Sequence, residues 1–333
     1  MGKDYSDRAP STICSAVIYR GNKIAIKEVE GEGLSLLGGH VKWEYGLPEC
    51  VKQRVFAENR ILFEPHSING ITHHRTPSSK DVINVNVAGH VTDASQQQNV
   101  YWMTLDEALR RADEFRTPDI KRLLIRTERQ DSVSLDFIQP TMLRRRVDYT
   151  ETVPGSEATQ TERRDLYGPT DFVVISAAIR SKQEGQPARY LFMECGRKQF
   201  AGKLSLLGGK LNRDERLVDA LGREIPEESD GTLKFSLLGL VGLYISDVGS
   251  FSNQPANYAS NFAAIAIAEN EDVKLSEKVL EEVRCLKWLS IDEIAEIPNS
   301  EFRTIDTKSV VMRAENLVLD KRVLPFDFVE RVD

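Results

Sequence analysis

Gly209-Lys210-Leu211-Asn212-Arg213-Asp214-Glu215, followed after seven residues by Arg223-Glu224-Ile225-Pro226-Glu227-Glu228, is the stretch on which the reading of this chain turns. Glu224, Glu227 and Glu228 stand at i, i+3 and i+4, so a helix places all three carboxylates on one face. Three like charges that close repel one another unless a cation joins them. Hard divalent ions take carboxylate oxygens, water and substrate phosphates as ligands. The plain alternative is a solvated acidic helix face. Glycines at the entry, an arginine directly before the first carboxylate and the complete spacing weigh against it.

Working outward, the segment that leads into this stretch occurs twice. Leu34-Ser35-Leu36-Leu37-Gly38-Gly39 returns letter for letter as Leu204-Ser205-Leu206-Leu207-Gly208-Gly209, 170 residues later. Carried forward without gaps, the same offset sets Glu215 against Tyr45, Arg223 against Gln53, Glu224 against Arg54, Glu227 against Ala57 and Glu228 against Glu58. One clustered carboxylate of three survives in the first copy, beside a fixed positive charge, which is too few oxygen ligands for a divalent ion. A second echo, Trp102-Met103-Thr104-Leu105-Asp106-Glu107 and Trp288-Leu289-Ser290-Ile291-Asp292-Glu293, follows at an offset of 186. Two echoes in the same order imply duplication of a whole domain, with a longer insertion in the second copy, and not a short solenoid repeat.

The quoted stretch resembles the signature of the Nudix hydrolases, G-x5-E-x7-R-E-U-x-E-E-x-G-U with U aliphatic. It matches every catalytic letter and departs at the end, where Asp230 holds the final glycine position and Gly231 follows. The resemblance implies an α/β chain of two tandem Nudix-type α/β/α sandwich domains with mixed sheets. Residues 1–135 form a Nudix-like domain with a degenerate, inactive box, 136–170 a linker, and 171–333 the catalytic domain. It further implies Mg2+- or Mn2+-dependent cleavage of a diphosphate linkage in a small nucleoside diphosphate-X substrate such as ADP-ribose, a nucleotide sugar, a dinucleotide or a nucleoside triphosphate. On that basis Glu224, Glu227 and Glu228 are the metal ligands and Arg223 holds the carboxylates in place. Glu215 fixes the loop or completes a metal shell, and Gly208 and Gly209 admit the phosphates. A further glutamate outside the box, Glu282 with Glu281 beside it, is a candidate base. Tyr244, Phe251 and Tyr258 are candidates to stack a base, with Tyr258 chosen for the substrate site. Pro226 departs from the pattern and is expected to kink the helix or end it early. The alternative function is a nucleotide-metabolite sensor with little turnover.

Composition bounds the rest. A chain of 333 residues accommodates two cores of about 150 residues each. A net charge of −7 gives no electrostatic reason to expect general nucleic-acid binding. Cys14, Cys50, Cys195 and Cys285 lack CxxC pairing, so neither a zinc ribbon nor a disulfide framework is indicated. No apolar run of about 18 residues and no apolar signal core occurs, so the expectation is a cytoplasmic protein with no membrane partner. The two domains are expected to pair within the chain, with a homodimer also open.

Patterning predicts a hairpin from Ile13–Tyr19 and Lys23–Lys27 about Gly21-Asn22, and a half-buried strand over Asp81–Val87. Helices are expected over Thr104–Ala112 and Ile120–Thr127. In the second half, strands are expected at Phe172–Ile175, Arg189–Met193, Phe235–Leu243, Phe262–Ala268 and within Val279–Trp288, with a final helix over Thr307–Leu317. A polar loop is expected over Ser246–Ala259. All five histidines lie in the first half, and His73-His74 is read as a surface loop without a third metal ligand.

Overall fold

The computed structural model describes residues 11–40, 47–75, 81–117, 119–129, 133–134, 138–140, 172–182, 187–196, 200–212, 215–247, 258–273, 275, 279, 283–304, 306–325 and 329–332. It divides into two compact units. The first is Met1–Asp171 with Phe251–Asn257 and Phe328–Asp333, and the second is Phe172–Ser250 with Tyr258–Asp327.

In the first unit, β1 (Ser11–Arg20) turns into β2 (Lys23–Val29) through Gly21-Asn22, with Arg20 opposite Lys23 and Gly21 at φ 62°. That left-handed conformation suits a two-residue hairpin, and glycine adopts it without strain. The glycine strand β3 (Gly33–His40) returns to β1, and α1 (Leu47–Asn59) follows it. Next come β4 (Leu62–Arg75), β5 (Asp81–Asp93), β6 (Tyr101–Thr104), α2 (Leu105–Arg110), α3 (Asp119–Arg129) and the short strands β7 (Val133–Ser134) and β8 (Ile138–Pro140). Ile138–Pro140 is a strand inside the segment expected to be linker. The rest of that segment, 136–137 and 141–170, lies outside the described residues.

The second unit contains β9 (Phe172–Ser181), β10 (Arg189–Cys195), β11 (Leu204–Ser205), β12 (Leu207–Lys210), α4 (Leu217–Glu228), β13 (Phe235–Asp247), β14 (Tyr258–Ala268), β15 (Val283–Ser290), α5 (Ile291–Glu296) and α6 (Thr307–Leu319). A last strand, β16 (Val329–Val332), runs parallel to β4 in the sheet of the first unit. Its partner residues include His73 and His74, which also pair with Ile83 and Val82 of β5. The two histidines are therefore in a strand, not the loop expected from their polarity, because both neighbouring strands supply ladder partners there.

Both sheets are mixed. In the first the order is β16-β4-β5-β1-β3-β2-β6, and in the second β11-β10-β9-β14-β13, with β12 on β9 and β15 on β10. They repeat one plan. β1 lies parallel to β5 as β9 does to β14, and Ala25 faces Trp102 across β2 and β6 as Leu191 faces Trp288 across β10 and β15. Ala16, Val17 and Ile18 are consecutive and all fully buried, as are Ala177, Ala178 and Ile179, so both faces of each sheet are covered. One face of the second sheet packs Tyr190, Phe192, Val241 and Ile265 against Ile294 of α5 and Val310, Val311 and Ala314 of α6. Helix α4 packs on β9 and β12. In the first unit Val17, Ile24, Ile26 and Leu36 pack with Ala108 of α2 and Ile120 and Leu124 of α3.

A buried polar chain is repeated with the plan. Ser15 Oγ donates to Asn84 Oδ1 (3.0 Å) and Asn84 Nδ2 to Asp119 Oδ2 (2.9 Å). In the second unit Ser176 Oγ donates to Asn261 Oδ1 (3.0 Å) and Asn261 Nδ2 to Asp306 Oδ2 (3.2 Å). The register matches too, since Asn84 stands opposite Ile13 and Asn261 opposite Val174, each two residues before the serine. Each chain links the first strand of its unit, through the parallel neighbour, to the start of the last helix. Buried polar atoms are costly when orphaned, so the asparagine is needed once the aspartate is there. Asn261→Ala is expected to cost about 2 kcal/mol, because it strips Asp306 of the donor to Oδ2. Urea unfolding at pH 7 checks this, and an unchanged midpoint would contradict it.

Candidate active site

Helix α4 starts at Leu217 and carries its apolar residues Leu217, Ala220, Leu221 and Ile225 buried toward the sheet. The spacing of these residues turns Arg223, Glu224 and Glu228 toward the glycine strand β12, while Glu227 points outward. A Cβ on Gly209 would stand 2.1 Å from the Glu224 carboxyl carbon, so the carboxylate occupies the room that this glycine leaves. Gly208, at φ 144°, donates its N–H to Glu228 Oε2 at 2.7 Å. A Cβ on Gly208 would stand 2.1 Å from the Ile175 carbonyl oxygen, which its pairing with Ser176 brings close. The two glycines thus do different work, one for the backbone and one for a carboxylate.

Arg223 ties this arrangement together. Its Nε and Nη2 donate to the two Glu215 oxygens at 2.8 and 2.9 Å, Nη1 to Glu224 Oε1 at 2.6 Å, and Nη2 also to the Lys210 carbonyl at 3.0 Å. Glu215 Oε2 accepts from the Asn212 backbone N–H at 2.9 Å as well. Loop, strand and helix are clasped by one planar fork, the geometry that suits guanidinium to carboxylate. Burial acts to raise the Glu215 pKa, but the Arg223 and Asn212 hydrogen bonds outweigh it and hold the carboxyl below its ordinary range. The Glu215 hydrogen bonds push the Arg223 pKa further up against burial, and the Glu224 bond adds to this.

A depressed carboxyl pKa stabilises the fold above the unfolded value of about 4.3, and that contribution is lost as pH falls through the folded value. Glu215→Gln is therefore expected to cost about 1–2 kcal/mol at pH 7, with the gap to wild type closing below about pH 4. Unfolding midpoints across the acid limb check this, and a gap that stays constant with pH would contradict it.

Pro226 does not end the helix. It sits in the last turn of α4, and the Gly222 carbonyl that loses its bond belongs to an exposed residue, where solvent can take it. The helix closes beyond Glu228. Ser229 N–H reaches the Ile225 carbonyl at 3.0 Å, Asp230 adopts φ 54°, and Gly231 N–H reaches the Pro226 carbonyl at 2.8 Å. This is a Schellman closure with an aspartate in the left-handed position that glycine usually fills.

Gly208, Gly209, Glu215, Arg223, Glu224 and Glu228 are thus brought together. Glu227 lies at the rim, 62% exposed, with its carboxylate 3.7 Å from Arg223. Tyr258 opens β14 opposite Asp247, and its side chain lies outside the described residues. Glu281 and Glu282 lie outside them altogether, as does Phe251. Tyr244 is fully buried, so it packs the core and does not present a stacking face. Among the described residues, no three metal-ligating side chains converge on one point. The donors fit a hard divalent cation in kind: Glu224 and Glu228 line the glycine strand, Glu227 adjoins them one turn along at the rim, and all offer carboxylate oxygen. The residues that spacing could not reveal are the Asn212 and Lys210 backbone partners and the Ser176–Asn261–Asp306 chain, since each depends on a fold-level approach.

The first unit builds the same place with different charge. Gly38 has φ 134°, and a Cβ there would strike the Cys14 carbonyl oxygen, just as at Gly208. A Cβ on Gly39 would stand 2.9 Å from Arg54 Nε, so a guanidinium takes the position that the Glu224 carboxylate takes at Gly209. Arg54 Nη2 pairs with Glu58 Oε1 at 2.5 Å, and Lys27 Nζ with Glu58 Oε2 at 2.9 Å.

The chain matches no family model, and no curated protein matches it. Several solved structures are similar to it. A Nudix hydrolase from Nitrosomonas europaea shares 20% identity over 39% of this chain and 96% of its own, with a TM-score of 0.36. The MutT Nudix hydrolase from Burkholderia pseudomallei shares 24% over 43% of this chain and 97% of its own, at 0.32. A UDP-X diphosphatase shares 15% over 68% of this chain and 95% of its own, at 0.33. Among the described residues, no helix is long and apolar enough to cross a membrane.

Proposed function

We propose that the chain is a Nudix-type pyrophosphohydrolase whose second unit cleaves the diphosphate linkage of a nucleoside diphosphate-X compound with Mg2+ or Mn2+. The observation that carries this reading is the placement of Glu224 and Glu228 against Gly209 and Gly208, with Arg223 clasping Glu215 and Glu224. The domain limits that go with it are 1–135, 136–170 and 171–333, with the first domain inactive.

Glu224, Glu227 and Glu228 would hold the cation. When bound, such a cation neutralises charge on the diphosphate oxygens and acidifies a water. The chain's own residues do the positioning. Arg223 fixes the Glu224 carboxylate and, through Glu215 and the Lys210 carbonyl, ties α4 to the segment that precedes it. The Gly208 N–H orients Glu228. The room that a Cβ would fill at Gly208 and Gly209 is taken by the Ile175 carbonyl oxygen and the Glu224 carboxylate, so these glycines serve the strand pairing and the seating of the carboxylate and not, as the resemblance implied, the entry of phosphates. Glu282, with Glu281 as its neighbour, is the proposed outside base. Tyr258 is the proposed contact to the substrate, a small nucleotide derivative.

The test is release of nucleoside monophosphate from ADP-ribose, UDP-glucose, a dinucleoside polyphosphate and nucleoside triphosphates, with Mg2+ and then with excess EDTA. Turnover of at least one compound is expected with Mg2+, with a fall to background in EDTA. If no compound turns over in Mg2+ or Mn2+ while one binds tightly, the sensor reading replaces this one.

A further inference from the structure

We infer that the first unit holds a metal-independent site for a diphosphate group, built where the second unit holds its carboxylates, with Arg54 and Lys27 supplying the positive charge. This rests on reading the first unit as a copy of the second.

The frame of the site is retained. Gly38 and Gly39 pair with Ser15 and Cys14 as Gly208 and Gly209 pair with Ser176 and Ile175, and the buried Ser15–Asn84–Asp119 chain matches Ser176–Asn261–Asp306. What changes is charge. Arg54 replaces Glu224 at the glycine, and Ala57 replaces Glu227 in sequence. Lys27 is opposite Ser35, and Met193 is opposite Ser205, its repeat equivalent, so a lysine stands where the second unit buries a methionine. Three carboxylates paired with one arginine become two cations paired with one carboxylate.

Glu58 does not cancel both cations. Each of its oxygens bonds one of them, which fixes the guanidinium and the ammonium side by side. Arg54 Nε has no acceptor among the described residues, although it is buried, so one donor of the fork is left over for an incoming oxygen. Cys14, opposite Gly39, adds no competing negative charge, because burial pushes its thiol up to about 12. In the second unit Glu224 and Glu228 would hold a cation that supplies the positive charge for the phosphates. Here a fixed guanidinium meets the phosphate oxygens directly, by charge-assisted hydrogen bonds. The site binds and does not cleave, since among the described residues its one carboxylate, Glu58, has each oxygen engaged by a cation, Arg54 or Lys27, and offers too few ligands for a divalent ion.

Titration calorimetry of the full chain in excess EDTA, with inorganic pyrophosphate and with ADP as probes, tests this. Binding is expected without divalent metal, weakened at least about tenfold by Arg54→Gln and similarly by Lys27→Met. Tighter binding of ADP identifies a nucleotide as the source of the diphosphate, and tighter binding of pyrophosphate identifies the free anion. Should Arg54→Gln fail to fold, the wild-type chain is treated with hydroxyphenylglyoxal, and pyrophosphate is expected to protect Arg54. Absence of binding in EDTA, binding indifferent to both variants, or no protection of Arg54 would overturn the inference. Failure of the hydrolase reading is separable, because that reading is judged by turnover with metal and this one by Arg54-dependent binding without it.

Discussion

Glu224→Gln and Glu228→Gln are each expected to lower kcat/KM for the compound that turns over by about 10³-fold, while the fold survives. The change removes one charge and little volume. Glu224 keeps its place at Gly209, and the amide still offers an oxygen to Arg223. Glu228→Gln still accepts from the Gly208 N–H through its amide oxygen. The proposed cation loses an anionic ligand in each case, and that deficit falls on the transition state, where phosphate charge is being redistributed. Raising Mg2+ should recover part of the loss. Retention of wild-type kcat/KM in both variants would show that these carboxylates hold no essential cation.

Gly209→Ala is expected to lower kcat by about 10²-fold with a stability cost of only about 1–2 kcal/mol. Gly209 does not have a left-handed φ, so alanine meets no backbone penalty there. The added methyl collides instead with the Glu224 carboxylate, whose atoms all lie within 2.3 Å of the ideal Cβ position. The side chain must swing away, and Arg223 Nη1 loses its partner at Oε1. Gly208→Ala is a different experiment, since its φ of 144° and the Ile175 carbonyl make the backbone itself give way. Kinetics and urea melts on Gly209→Ala separate the two effects. Unchanged kcat with a stable fold would contradict the role given to this glycine.

Much of the fold was legible because its signals are local. Gly21-Asn22 announces the hairpin, and Ser290 with Glu293 forms the capping box that opens α5. The i, i+3, i+4 carboxylates of α4 also need nothing distant. Other elements were hidden for stated reasons. β4 contains Pro65 and Gly70 and shifts register at Leu62/Phe63, Pro65/Ser67 and Ile68/Gly70, which destroys the alternation a strand is recognised by. β16 is a strand because β4 offers it a ladder, and its partners lie more than two hundred residues away. The strand over Tyr258–Ala268 begins inside the expected polar loop, because pairing with β13 continues to Asp247.

The site divided in the same way. Its carboxylates and glycines were readable from spacing, but the division of labour between Gly208 and Gly209 was not, since it depends on what each Cβ would strike. Pro226 was expected to disturb the helix. It lies in the last turn with an exposed carbonyl above it, so the bond it deletes is one that solvent can replace. Arg54 could be seen as a lost carboxylate, but only the fold shows it occupying the carboxylate's place at the glycine.

The central claim is that the inner face of α4 holds the divalent cation on which hydrolysis depends. Electron paramagnetic resonance titration of Mn2+ into the full chain, wild type against Glu224→Gln, measures it directly. Saturable binding in the wild type, weakened at least about tenfold in the variant, is the result predicted. Absence of bound Mn2+ in the wild type, or identical titrations for the two proteins, would contradict it.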